Sequence, residues 1–106
     1  MIDDRWLDVG PSEPSEDGEI YRLRTGDADV AAARVDGAWL AFDNACTHHG
    51  CPLDDGVVDG ATIECECHGS IFDLRTGAVL RGPATEPIRL HAAEIRHGRV
   101  FVDPDV

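Results

Sequence analysis

Apolar and polar residues along this chain form short runs, cut off every few positions by turn dipeptides, which is the pattern of strands rather than helices. The runs predict strands at Arg5–Val9, Glu19–Thr25, Asp29–Val35, Ala38–Phe42, Thr62–Cys65, Ile71–Leu74, Ala78–Leu80, Ile88–Arg96 and Arg99–Val102. The punctuation between them includes Gly26-Asp27, Asp36-Gly37, Asp59-Gly60, Thr76-Gly77 and His97-Gly98. Asp36-Gly37, flanked by Val35 and Ala38, is a two-residue hairpin signal, because such a turn needs positive φ and Gly supplies it without strain. His97-Gly98, between Ile95 and Val100, is a second hairpin candidate. Glu86–His97 reads two ways: Ile88, Ala92 and Ile95 would share a helical face, but Ile88, Leu90 and Ala92 also alternate as in a strand. Pro87 precedes them, and strand is the favoured reading. No long helical period, internal repeat or low-complexity segment is present. The expected class is all-β, with turns at sandwich-like spacing.

Composition narrows this picture. At 106 residues the expectation is one domain, residues 1–106, small enough that a metal staple would add needed stability. Aromatic residues are scarce, so core volume must come from Val, Ile, Leu and Ala. Gly10–Gly18 reads as a polar loop. The formal charge of −12 is spread from Asp3 to Asp105. It argues against nucleic acid or an anionic membrane as partner and favours partners with basic patches. No apolar run approaches the ~20 residues that span a bilayer. The N-terminal residues have neither the basic nor the apolar segment of an export signal, so the expected location is cytoplasmic.

The chemistry is concentrated between residues 43 and 83. One loop reads Cys46-Thr47-His48-His49-Gly50-Cys51-Pro52, the other Cys65-Glu66-Cys67-His68-Gly69-Ser70. Each supplies a Cys and a His: C-x-H, then sixteen residues, then C-x-x-H. Four such donors suit a two-iron cluster, in which thiolates stabilise ferric iron and two neutral imidazoles remove negative charge from one iron. The potential then rises to about −150 to +300 mV, against about −400 mV for plant-type ferredoxins. Zinc is the competing ion, since two Cys and two His also suit tetrahedral Zn²⁺. Zinc fingers, however, group their cysteines apart from their histidines, whereas each loop here mixes one of each.

The run CTHHGCPLDDG, followed by IECECHGSIFDLRTG and then RGPA, resembles the Rieske [2Fe–2S] family, in motif detail over Trp39–Pro83. The resemblance implies an all-β Rieske fold of two antiparallel sheets, with a cluster-binding part of two loops at one tip. It implies that Cys46 and Cys65 bind an inner iron and that His48 and His68 bind an outer iron near the surface. Cys51 and Cys67 match the disulfide that ties the loops together in Rieske proteins of respiratory cytochrome bc complexes, although two free thiols are the ordinary state in a cytosolic protein. Cys67 is not expected to be a ligand, because it adjoins His68 and neighbours in an extended loop point apart. Ser70 matches a position whose hydroxyl donates to a cluster sulfide. Gly50 and Gly69 are expected to let the loops fold close and to aim N–H groups at the sulfides. Pro83, with Gly82, matches a third loop over the cluster, or an ordinary turn. His49 fits no ligand position and is expected at the surface, as are His91 and His97.

The chain shows no nucleotide-binding glycine fingerprint, no flavin motif and no mononuclear iron triad, so it reads as a carrier and not an enzyme. The resemblance to Rieske-type ferredoxins implies a monomer with transient partners. A flavin-containing NAD(P)H reductase would load it, and a terminal non-haem iron oxygenase of an aromatic-ring dioxygenase system would unload it. Alternatives are the Rieske small subunit of a stable complex such as an assimilatory nitrite reductase, the soluble domain of a bc-type protein, and a zinc-stabilised interaction module. The sequence also carries a quantitative expectation. High-potential members have Tyr where this chain has Phe72, which cannot donate to a cysteine sulfur, and Glu66 adds negative charge nearby. Redox titration should give a potential below the respiratory type, and a value as high as theirs would refute this reading.

Overall fold

Residues 5–26, 28–47 and 50–104 are described by the computed structural model, and their regular structure is ten strands and one short 3₁₀ turn, Leu53–Asp55. In chain order the strands are β1 (Leu7–Pro11), β2 (Ile20–Thr25), β3 (Ala28–Val35), β4 (Ala38–Asp43), β5 (Val57–Asp59), β6 (Thr62–Glu64), β7 (Ile71–Asp73), β8 (Val79–Arg81), β9 (Leu90–Arg96) and β10 (Arg99–Asp103). A six-stranded antiparallel sheet has the order β1-β10-β9-β4-β3-β2, and a four-stranded one the order β5-β6-β7-β8. None of the described helices is long and apolar enough to cross a membrane.

The two predicted hairpins form as the turn chemistry requires. Asp36 and Gly37 have φ of 51° and 81°, and His97 and Gly98 have 52° and 75°. Both central residues are thus in the left-handed region that matches the twist of the flanking strands.

β3 explains how one short chain supports two cores. Its side chains alternate: Val30 and Ala32 face one apolar cluster with Trp39, Ala41, Val100 and Val102, whereas Ala31, Ala33 and Val35 face another. A strand buried on both faces needs small apolar residues throughout, which is why this run is alanine-rich. Within the first cluster Tyr21 stacks on Trp39, ring centroids 4.8 Å apart. Tyr21 also donates from its hydroxyl to the Pro11 carbonyl at 2.7 Å. That bond joins β2 to β1, the two outer strands of the large sheet, so the sheet curls until its edges meet.

The second cluster joins the large sheet to the small one. It combines Ala31, Ala33, Val35 and Phe42 with Leu53, Ile63, Phe72, Leu74, Ala84 and Ile88, and it includes Cys46 and Cys65. The cysteine loops therefore grow out of a packed core.

Three differences from the sequence reading have physical causes. The strand favoured over Ile88–Arg96 forms as β9, paired on both sides, but begins two residues late, at Leu90, because Ile88 lies in the preceding loop with its side chain buried in the core. β5 is absent from the expected strands, because three residues between acidic turns carry no readable period. His91 is buried and not a surface residue. It pairs with Ala41 inside the large sheet, its side chain is 1% exposed, and its Nε2 stands 2.5 Å from Asp43 Oδ1.

Gly77 carries the turn between β7 and β8 at a φ of +81°, where an added Cβ would stand 2.5 Å from the Ile88 carbonyl oxygen. The Ile88 N–H donates to the Gly77 carbonyl at 2.9 Å. Alanine there meets both the left-handed penalty and a backbone clash. Gly77→Ala should cost at least about 1–3 kcal/mol, read from the urea midpoint; an unchanged midpoint would show the turn to be free of this constraint.

Candidate metal centre

The two cysteine loops share one backbone design. In loop one, the Cys46 N–H donates to the Cys51 carbonyl (2.8 Å) and the Gly50 N–H to the Cys46 carbonyl (2.7 Å). In loop two, the Cys65 N–H donates to the Ser70 carbonyl (2.7 Å) and the Gly69 N–H to the Cys65 carbonyl (3.0 Å). Each loop thus closes on its own cysteine, and the glycine that closes it has a φ of +72° or +78°. Gly50 has open space around it, so what selects glycine there is the backbone angle and not crowding. The expected role of these glycines changes accordingly: their N–H groups are spent on loop closure. The donors that face the Cys65 sulfur are the amides of Cys67 and His68.

Cys46 and Cys65 are both buried and both free thiols. Burial pushes the Cys65 thiol above its ordinary value, and the adjacent Cys46 thiol adds to the rise, while the Cys67 and His68 amides pull it down. Cys65, inside an apolar cluster with a second thiol beside it, is expensive to ionise in the absence of a cation. Iron beside them reverses that balance. The donor set therefore fits an iron–sulfur group with thiolates inward.

The surroundings fit as well. Ser70 is fully buried and its Oγ accepts from the Ala84 N–H at 3.0 Å. Its own proton has no acceptor among the described residues, so a buried donor is left to serve the site. The Ser70–Ala84 bond ties loop two to the third loop, which contains exposed Pro83. Thr47 Oγ1 ties loop one to the same segment by donating to the Glu86 carbonyl at 2.7 Å. His68 is exposed beside buried Cys65. His48 and His49 lie outside the described residues.

Cys51 and Cys67 form a disulfide between the loops. Their sulfurs and that of Cys65 all lie within 4.8 Å of one another. The grouping resembles a three-thiolate site, but a disulfide sulfur has no thiolate to offer a metal. Cys65 alone among the three remains a donor, with the bridge packed against it.

Sequence reasoning missed the anchor of loop one. Asn44, buried at the end of β4, donates from Nδ2 to Asp54 Oδ1 (2.7 Å) and accepts at Oδ1 from the Asp54 N–H (2.8 Å). Its backbone N–H donates to the Asp29 carbonyl. Arg22 forks onto Asp29 (3.0 and 2.9 Å), and this pairing, with help from Asn44, holds the Asp29 carboxyl below the usual carboxylate range. A depressed carboxyl contributes stability that is present above its unfolded pKa and is lost as pH falls through the folded value. This support for loop one is thus an acid-sensitive one. No motif marks Asn44; its signal was only a polar residue next to a strand.

Comparison with known proteins matches residues 5–94 to the Rieske [2Fe-2S] domain. The chain belongs to the Rieske family. It is 36% identical to the ferredoxin CarAc of Metapseudomonas resinovorans, over 92% of each chain. It is 31% identical to the naphthalene 1,2-dioxygenase system ferredoxin component of Pseudomonas aeruginosa, over 94% of this chain and 96% of that one. Among solved structures, a ferredoxin-sized chain in a complex of reduced oxygenase and oxidized ferredoxin in carbazole 1,9a-dioxygenase superposes with a TM-score of 0.90. That match has 34% identity and covers 96% of this chain and 95% of that one. The Sphingomonas yanoikuyae B1 ferredoxin gives 0.83, at 36% identity, over 92% and 96%. This Rieske domain takes one [2Fe–2S] cluster.

The disulfide closes a loop with a sequence separation of 16. Chain-entropy reasoning assigns about 3 kcal/mol to a closure of that size. The double variant Cys51→Ser/Cys67→Ser should unfold at lower denaturant and lose its visible absorbance to a chelator several-fold faster than the parent. Equal rates would mean that the core, and not the bridge, holds the loops.

Proposed function

We propose that this Rieske protein is a one-electron carrier whose cluster is held by Cys46 and Cys65 on the inner iron and by His48 and His68 on the outer iron. The observation that carries this reading is the asymmetry of loop two: the Cys65 thiol is sealed in the core while His68, three residues on, is exposed. When bound, the [2Fe–2S] cluster supplies reversible one-electron transfer. The chain holds it in a low-dielectric seat, offers the Cys67 and His68 amides and the Ser70 hydroxyl toward it, and leaves one side open to a partner. Gly50, Gly69 and Pro83 shape that seat through loop closure and the third loop.

The physiological role that fits is the ferredoxin component of an aromatic-ring dioxygenase system. Relatives described as ferredoxin components of naphthalene 1,2-dioxygenase systems match over nearly the whole of both chains. The electron donor would be a flavin-containing NAD(P)H reductase and the acceptor a terminal Rieske non-haem iron oxygenase, both meeting the carrier transiently. The whole of residues 1–106 acts as one domain, with the cluster-binding part at roughly 43–83, and the working form is a cytoplasmic monomer. The acidic residues Asp54, Asp55, Asp59, Glu64 and Glu66 around the loops would steer basic patches of the partners.

Three measurements test this. The purified protein should contain about two iron and two acid-labile sulfide per chain; zinc in their place would end the reading. His48→Ala and His68→Ala should abolish the Rieske spectrum, whereas His49→Ala should keep it. Reduction by a partner flavin reductase should slow as salt rises across the range in which the Debye length falls from about 30 to 10 Å. Rates independent of salt would rule out the steering.

A further inference from the structure

Arg81 occupies a place that the carrier reading leaves without a task. It sits on β8, an edge strand, yet its guanidinium turns onto loop two. Nε and Nη2 both donate to the Gly69 carbonyl oxygen, at 3.1 and 2.9 Å. Nη2 also lies 3.5 Å from Glu64 Oε2. The fit is close: an ideal Cβ at Gly69 would stand 3.3 Å from Arg81 Nη2. One cation therefore grips the carbonyl next to His68 and is itself held by the residue next to Cys65.

An exposed Arg–Glu pair contributes little by itself, and this one is half in water, with side chains 58% and 50% exposed. The forked bond to a carbonyl is a different kind of contact. It is charge-assisted and planar, and it fixes both the guanidinium and the peptide it holds. Gly69 also closes loop two through its N–H to the Cys65 carbonyl. Gripping the Gly69 carbonyl thus braces both ends of the segment that presents His68. A positive charge fixed beside a redox centre favours the form carrying the extra electron.

We propose that Arg81 is a positioning residue that clamps loop two and raises the reduction potential of the cluster, with Glu64 partly offsetting its charge. The inference rests on the reading that Cys65 and His68 hold the cluster. It goes beyond that reading, because neither residue is one of the proposed ligands.

The test uses cluster-loaded Arg81→Gln, Arg81→Lys and Glu64→Gln, with Arg96→Gln at the far end of β9 as a charge control. Iron content is matched before potentials are measured by titration and release rates are measured against a chelator. Arg81→Gln should shift the potential down and speed release several-fold. Glu64→Gln should shift it up, and Arg96→Gln should leave it in place. Arg81→Lys keeps the charge without the fork, so its potential should lie nearer the parent than that of Arg81→Gln while release stays fast. An unchanged potential in Arg81→Gln overturns the proposal, even if release speeds up, since a purely structural brace would do only that. A control shift as large as that of Arg81→Gln overturns it as well. Should Arg81→Gln fail to fold, an unshifted potential in Glu64→Gln overturns it. Failure of the ligand reading shows separately, as a Rieske spectrum retained in His68→Ala.

Discussion

Two thiols sealed in the core that joins the sheets set the terms for the rest of the molecule. Cys46 and Cys65 have almost no contact with solvent, and burial, with Cys46 adjacent, raises the cost of ionising Cys65. Charge on Cys65 is costly there without a cation, and the pair of buried thiols fits the [2Fe–2S] cluster of the Rieske domain. The apolar cluster around them contains Phe42, Leu53, Ile63 and Phe72, so the proposed seat of the metal and the joint between the sheets are the same object.

Three loops converge on that seat and each is tied to another. Loops one and two share the disulfide, loop two holds the third through Ser70 and Ala84, and loop one holds it through Thr47 and Glu86. Behind loop one, Asn44 links the end of β4 to Asp54 and Asp29. The arrangement ties the three loops into one braced unit.

Much of this was legible in the sequence where chemistry and spacing coincide. The two loops announced themselves through a Cys and a His apiece, and the hairpins through Asp36-Gly37 and His97-Gly98. Less legible was anything that depends on partners distant in sequence. The burial of His91 is decided by its pairing with Ala41, fifty positions earlier in the chain. The anchoring role of Asn44 is decided by two aspartates in different elements, and the closure of the large sheet by one tyrosine hydroxyl. The shared backbone of the loops could have been seen, since Gly50 and Gly69 each follow their cysteine by four residues. Reading it required setting the histidines aside.

The Tyr21 hydroxyl that bridges β2 to β1 has a consequence for how such a protein lives in a crowded solution. Sheet edges are adhesive, since each presents unpaired backbone groups to any passing strand. Here the long edges of the large sheet are turned toward each other, which leaves β5 and β8 as the edges of the smaller one. These are three residues long, too short to template a neighbour, and they belong to a chain whose net charge of −12 repels its own copies.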